Sequence, residues 1–203
     1  MTDRQAHWQT VYATKGDDRV SWFEEMPALS IRLIEQATAK RGSAIDIGGG
    51  ASRLPGALLD LGFDDVASLD LSGEGLKIAR ERLGERASRV RSIVADITRW
   101  SPDREYDVWH DRAAFHFLTD ATDQARYAAA LRAGLAPGGI AIIATFAPDG
   151  PERCSGLPVA RHDGKSLSAI FGEGVTLLSE HRHDHLTPAG AIQRFQFSTF
   201  RKT

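Results

Sequence analysis

Along the middle of the chain, short runs of consecutive apolar residues alternate with longer stretches in which apolar residues return every three or four positions. The first pattern suits a strand buried on both faces and the second an amphipathic helix. "SAIDIG" (43–48) predicts a first strand, residues 52–61 a helix with Leu54, Leu58 and Leu61 on one face, and "DVASLDLS" (65–72) a second strand. Pro55 is compatible with that helix because it falls in the first turn. The alternation continues with a helix over 74–83, a strand over "VRSIVADIT" (90–98) and another over "YDVWHD" (106–111). An amphipathic helix over 119–135, stopped by "APGG", precedes the fully apolar strand "IAIIATFA" (140–147). Strand and helix alternate five times, which predicts a parallel sheet with helices on both faces.

The flanks read differently. The lead is polar and dotted with Trp8, Tyr12, Trp22 and Phe23, after which "PALSIRLIEQATAK" (27–40) predicts a helix that opens on Pro27. Beyond residue 147 comes a turn-rich loop to residue 164, then a short helix over 165–172. Two strands, "GVTLLSEHRH" (174–183) and "IQRFQFSTFRK" (192–202), are joined by "DHLTPAGA" and predict a terminal antiparallel hairpin.

Composition narrows the classes of function. The 203 residues suit one well-buried domain, and 42% hydrophobic with 26% charged content is ordinary globular usage. Lys+Arg 25 against Asp+Glu 27 leaves a formal net charge of -2, so nothing draws the chain to a polyanion. No nucleic acid and no membrane partner is therefore expected. The single Cys154 makes no intrachain disulfide and no paired-cysteine metal motif, which suits a reducing cytoplasm. The N-terminal stretch has no apolar signal core, and the run 140–147 is too short to span a bilayer.

The candidate chemistry starts at "AIDIGGGAS" (44–52), where a buried strand runs into three glycines. A dinucleotide turn has the pattern G-x-G-x-x-G, its last glycine allowing close helix packing around a pyrophosphate. Gly48 and Gly50 fit that pattern, but Arg53 holds the third position, which weakens a NAD or FAD reading. Three carboxylates remain at successive strand ends: Asp46, Asp70 and Asp96. Asp70, twenty residues past Gly50, is placed to accept hydrogen bonds from ribose hydroxyls. The set suits a ligand with a ribose, a purine and a positive charge.

In these residues the chain resembles the class I S-adenosylmethionine-dependent methyltransferases. "IDIGGGAS" is similar to their first motif, "LDLS" to the ribose-binding acidic motif, and "ADI" to the adenine-side motif. "YDVWHDR" is similar to their fourth strand and "LAPGG" to the turn before the fifth, so the likeness runs from about Ala44 to the C-terminus. The resemblance implies a Rossmann-like α/β fold with a mostly parallel seven-stranded sheet, helices on both faces and a C-terminal antiparallel hairpin. It divides a single domain 1–203 into a lid and helix segment (1–43), a cofactor-binding core (44–147) and a substrate-side loop with the hairpin (148–203). The implied cofactor is S-adenosyl-L-methionine. Gly48, Gly49 and Gly50 would approach its methionine part, with Asp46 near the amino group. Asp70 would hold the ribose, Leu71 beside it would also bind the cofactor, Asp96 would face the adenine amino group, and Ile97 would pack on the ring. Asp111 would stand at the methyl-facing mouth, and Tyr12 and Trp22 would close the cofactor in from the N-terminal side.

A narrower likeness, in "HWQTVYATKGDDRVSWFEEMP" and "HDRAAFHFL", is to a branch that includes lysine methyltransferases of translation factors. Those relatives carry D-K-G-T-L-D where this chain has Asp111-Arg112-Ala113-Ala114-Phe115-His116. The expected activity is methyl transfer to an N, O or S nucleophile of a small molecule, with a protein acceptor second and RNA third. Asp111 and His116 are the candidate bases. An NAD-dependent oxidoreductase and a non-catalytic cofactor-binding module are the rivals from other classes. His181, His183 and His185 alternate on one strand face; without a recognisable ligand spacing they are read as a solvated face, so no metal is expected. Cys154 is read as a small buried hydrophobe at or near the substrate entrance.

Overall fold

In the computed structural model, which describes residues 2–203, seven strands form one sheet in the order β3-β2-β1-β4-β5-β9-β8. The parallel half comprises β1 (Ser43–Ile47), β2 (Asp65–Asp70), β3 (Val90–Val94), β4 (Tyr106–Arg112) and β5 (Leu135–Phe146). β8 (Val175–Leu186) and β9 (Ile192–Lys202) pair antiparallel, and β9 lies antiparallel against β5. A two-residue-per-strand hairpin, β6 (Arg153–Cys154) with β7 (Leu157–Pro158), stands apart from the sheet. This is the expected architecture, and its crossovers carry α3 (Leu54–Asp60), α4 (Gly73–Leu83) and α5 (Ala121–Gly134).

Two apolar layers hold the sheet. Trp109, Phe115, Tyr127, Phe171 and Phe200 pack on one face, beneath α5 and α6 (Gly164–Phe171). Ile34, Leu58, Phe63, Phe146 and Phe195 pack on the other, beneath α2 (Ala28–Ala37) and α3. β1 is buried along its whole length, which is why "SAIDI" reads as near-continuous apolar sequence.

The structure corrects the sequence reading at several places. The lead contains a helix, α1 (Asp3–Lys15), capped by Thr2, whose hydroxyl accepts from Gln5 N at 3.3 Å. "APGG" does not separate helix from strand: Leu135 pairs with Tyr106 and Ile140 with Val108, so the four residues between them bulge out of β5. β3 ends at Val94, which leaves Asp96 on the loop beyond it. The terminal hairpin is tighter than expected, with β8 running on to Leu186. No helix among the described residues is long and apolar enough to cross a membrane.

Candidate functional site

The ends of β1, β2, β3 and β4 converge where the glycine turn leaves β1. Gly48 and Gly49 donate their N–H groups to Leu69 O at 2.7 and 3.1 Å, folding the turn back over β2. Gly48 has φ +67°, and a Cβ there would lie 2.4 Å from the Ala114 Cβ, so no other residue fits. Gly50, at φ +43°, is equally constrained: a Cβ would lie 2.1 Å from the Tyr12 hydroxyl oxygen.

A cleft partly open to solvent lies against this turn. Its floor is Ile47, Gly48, Leu69, Asp70 and Leu71, and one wall is Ala95, Asp96, Ile97 and Leu118. The facing wall comes from the lead, as Arg4, Trp8, Tyr12 and Trp22; Arg112, Ala113, Ala114, Phe117 and Cys154 complete the far end. Trp8 makes edge contacts with Trp22 and Phe117 at centroid distances of 5.6 and 4.9 Å.

Asp70 accepts Ser72 N at 2.7 Å and also the Gly50 N–H. Burial nevertheless pushes its carboxyl up to about 7, with Asp46 adding a smaller push in the same direction. Asp96 turns one oxygen to Thr98 N and Thr98 Oγ1, at 2.9 and 2.7 Å, and still lines the cavity. Tyr12 is buried; desolvation and the nearby Asp70 raise its hydroxyl far above the ordinary value, so it stays neutral.

A second cavity shares Tyr12, Trp22, Gly48 and Arg112 with the first. Asp46, Gly49, Ser52 and Arg53 line it, with Ser30 and His110 behind. Asp46 Oδ1 meets His110 Nδ1 at 2.8 Å, and His110 Nε2 meets Ser30 Oγ at 2.9 Å, all buried. Arg53, the residue that breaks the dinucleotide pattern, bridges to the lead through Glu25 at 3.2 Å and Asp17 at 3.7 Å. Gly50 lines neither cavity; it seats the Tyr12 ring and donates to Asp70.

Asp111 and His116 are not at the mouth. Asp111 is fully buried and fully used: Tyr127 Oη donates to it at 2.7 Å, Ala114 N at 2.9 Å and Phe115 N at 3.1 Å. Trp109 Nε1 donates in turn to Tyr127 Oη at 3.0 Å. This carboxylate ties the loop after β4 to α5, and burial pushes its pKa up to about 6. His116 is also fully buried, between Phe117 and Phe146, and desolvation takes it down to about 3. Neither residue lines either of these two cavities, and between them the chain turns at Ala113, whose φ is +70°.

The sequence reading missed Arg112, Trp8, Arg4 and Phe117. Arg112 donates to Trp22 O at 2.8 Å, forms an ion pair with Glu24 at 3.1 Å and lies 4.9 Å over the Phe195 ring. Its signal was its place immediately after Asp111 at a strand end, where open α/β sheets gather binding groups. Cys154 is buried and lines the cavity, and burial pushes its thiol up to about 11, which makes it a poor nucleophile. The three alternating histidines do not form a solvated face. His181 is exposed, His183 half-buried and His185 buried.

A model of the methyltransferase domain matches residues 44–139, from β1 through the bulge in β5. The chain is 30% identical over 167 residues to N-terminal Xaa-Pro-Lys N-methyltransferase 1 of Rattus norvegicus, covering 76% of this chain and 72% of the relative. The chain belongs to the class I S-adenosylmethionine-dependent methyltransferases. It is also 25% identical over 116 residues to the eEF1A lysine and N-terminal methyltransferase of Bos taurus, matching 56% of this chain and spanning only 16% of that relative's length. Among solved structures it resembles the 1,6-didemethyltoxoflavin-N1-methyltransferase of Burkholderia thailandensis, with a TM-score of 0.73 and 24% identity over 99% of this chain and 89% of that one. That likeness bears on the fold.

The residues present fit the cofactor of this family, S-adenosyl-L-methionine. The apolar side chains of Leu71, Ile97 and Leu118 along the cavity suit a purine, and the Asp70 carboxylate in the same lining suits a sugar diol. The two adjoining cavities meet at Gly48 and Tyr12, matching a ligand with an adenosyl half and an amino-acid half.

Proposed function

We propose that the protein transfers a methyl group from S-adenosyl-L-methionine to a nucleophilic N, O or S of a small, flat, largely apolar acceptor. The cofactor, when bound, supplies a methyl already activated on a positively charged sulfur. Asp70 accepts from the ribose hydroxyls, Leu71 and Ile97 flank the purine, and Asp96 faces its amino edge. Asp46 and Gly49 border the amino-acid half, and Tyr12 and Trp22 line both cavities at the junction, where aromatic rings favour a cation.

The observation that carries the acceptor class is the far end of the first cavity. There the wall is Trp8, Trp22 and Phe117, and the charged groups are the cations Arg4 and Arg112. Both carboxylates lining that cavity, Asp70 and Asp96, stand at the cofactor end. Arg4 is already paired with Asp123 and Arg112 with Glu24, so a protonated amine meets guanidinium groups and no free carboxylate there, whereas a planar neutral or anionic acceptor meets aromatic side chains and a guanidinium. With Asp111 and His116 turned away, catalysis rests on alignment and exclusion of water, an orientation effect worth up to ~7–11 kcal/mol in favourable cases.

The 30% identity to the rat N-terminal methyltransferase favours a second reading, a peptide amine as acceptor. Methyl-labelled cofactor offered with a panel of planar heteroaromatic metabolites, and separately with peptides bearing free N-termini or lysines, decides between them. Label in the heteroaromatic pool supports the first reading; label confined to peptides overturns it.

A further inference from the structure

We propose that Glu24, His183 and His185 form a site for a divalent transition-metal ion, which pins the segment carrying Trp22 to the outermost strand of the sheet. Potential ligand atoms of these three residues lie within 4.8 Å of one another, and no other residue group of this kind occurs among the described residues. Their arrangement follows from the fold. His183 and His185 are two apart on β8 and so share one face, standing over Phe195 and Phe197 of β9. Glu24 arrives from a different part of the chain, the connection between α1 and α2.

His185 carries the strongest indication. Its Nε2 meets the carbonyl oxygen of Ser21 at 2.9 Å, a contact that requires the proton on Nε2. Nδ1 is then left with a lone pair, and it faces the Glu24 carboxylate oxygen at 3.8 Å. The Arg112 guanidinium meets the charge of this oxygen from one side, while with the proton on Nε2 no hydrogen bond joins it to Nδ1, so a cation placed between the two would be ligated by both. Fixing one ring nitrogen by a backbone carbonyl so that the other presents its lone pair is the usual outer arrangement around a metal-bound imidazole. Tetrahedral zinc with bonds of about 2.0–2.1 Å brings ligand atoms to about 3.3 Å from each other. The Glu24–His185 separation is close to that already. His183 is half-buried edge-on to the Phe197 ring, with its ligand atom already within the same cluster.

Arg112 is the opposing feature, since its guanidinium pairs with Glu24 at 3.1 Å. Arg112 Nη2 takes Glu24 Oε1, the same oxygen that faces His185 Nδ1, so an ion would use the other oxygen, Oε2, or displace the guanidinium from Oε1. Arg112 also retains its bond to Trp22 O and its place over Phe195. One glutamate oxygen and two imidazoles leave a fourth position for water, a donor set that suits zinc or cobalt better than calcium or magnesium.

The test is titration of chelator-treated protein with Co²⁺, followed by visible absorption, and with Zn²⁺ by calorimetry. The expected result is one equivalent of either ion, with Co²⁺ giving the intense visible bands of a tetrahedral site. His183→Ala should lower the affinity at least ~10-fold, since loss of a ligand costs no less than loss of an outer partner. Glu24→Gln should do the same as an independent arm, and His181→Ala should leave binding unchanged. Melting curves without metal establish that each variant is folded. Failure of native protein to bind one equivalent, binding indifferent to His183→Ala and Glu24→Gln, or an equal loss in His181→Ala would overturn the site.

Discussion

At the scale of single residues, the acidic groups divide by what their carboxylates still have to offer. Asp70 sits at the cavity with its pKa raised to about 7, so near neutrality part of the population is protonated and a poorer acceptor for hydroxyl groups. On the proposed ribose role of Asp70 the ligand favours the ionised form, and affinity for S-adenosylhomocysteine should rise about tenfold between pH 6 and pH 8. Calorimetry across that range checks this, and Asp70→Asn should abolish the rise. The same shift sets a sign for stability. A carboxyl raised in the folded state contributes stability that is complete below its unfolded pKa and lost as pH climbs through the folded value. For Asp70 the loss falls between about 4 and 7 in ligand-free protein. Asp111 illustrates what sequence could not disclose. Its position after "YDVWH" was legible, but the inward turn at Ala113 and the waiting Tyr127 hydroxyl depend on a helix sixteen residues away. Asp111→Ala should strand Tyr127 and two backbone donors, costing about 1–3 kcal/mol for each group left unpaired. Urea unfolding would register that loss; a variant of native stability but no turnover would instead restore a catalytic role.

Among the elements, those built on strong periodicity were legible and those defined by a partner were not. β1, β2, β4 and β9 lie where the apolar runs placed them, because central strands must be apolar on both faces. α1 escaped because its buried stripe is narrow, with Val11 and Tyr12 the buried residues of thirteen. A signal was present nonetheless: Thr2 followed three residues later by Gln5 matches the start of a capped helix. α1 packs on α4, where a Cβ on Gly75 would approach the Tyr12 ring at 2.9 Å. The glycine turn is thus read twice, by whatever ligand fills the cavity and by this helix. Gly50→Ala should displace Tyr12, costing about 1–3 kcal/mol as overpacking. Limited proteolysis should then cut faster at Lys15 and Arg19, and unchanged cleavage would separate the helix from the turn.

For the molecule as a whole, the order β3-β2-β1-β4-β5-β9-β8 puts the cofactor cleft beside β1 and β4, where the strand order reverses, and the alternation of elements foretold it. Hidden from sequence was which distant segments would meet there, since loop contacts carry no period. Binding of S-adenosylhomocysteine at 100 times its Kd should stabilise the fold by about 2.7 kcal/mol, raising Tm by roughly 5–11 °C for a chain of this size. NAD at equal concentration should leave Tm unmoved, and a shift with NAD alone would revive the oxidoreductase reading. One more consequence lies in how α1 is attached. No strand pairing holds it; Gln9 accepts from Ser72 and Glu74 at the start of α4, and Arg4 reaches Asp123. Such latches are individually weak, and Val11 and Tyr12 are the buried residues of the helix, so hydrogen exchange should find α1 opening before the sheet does. Under the proposed cofactor binding, fresh donor and spent nucleoside would share that one doorway, opened at a small fraction of the cost of unfolding.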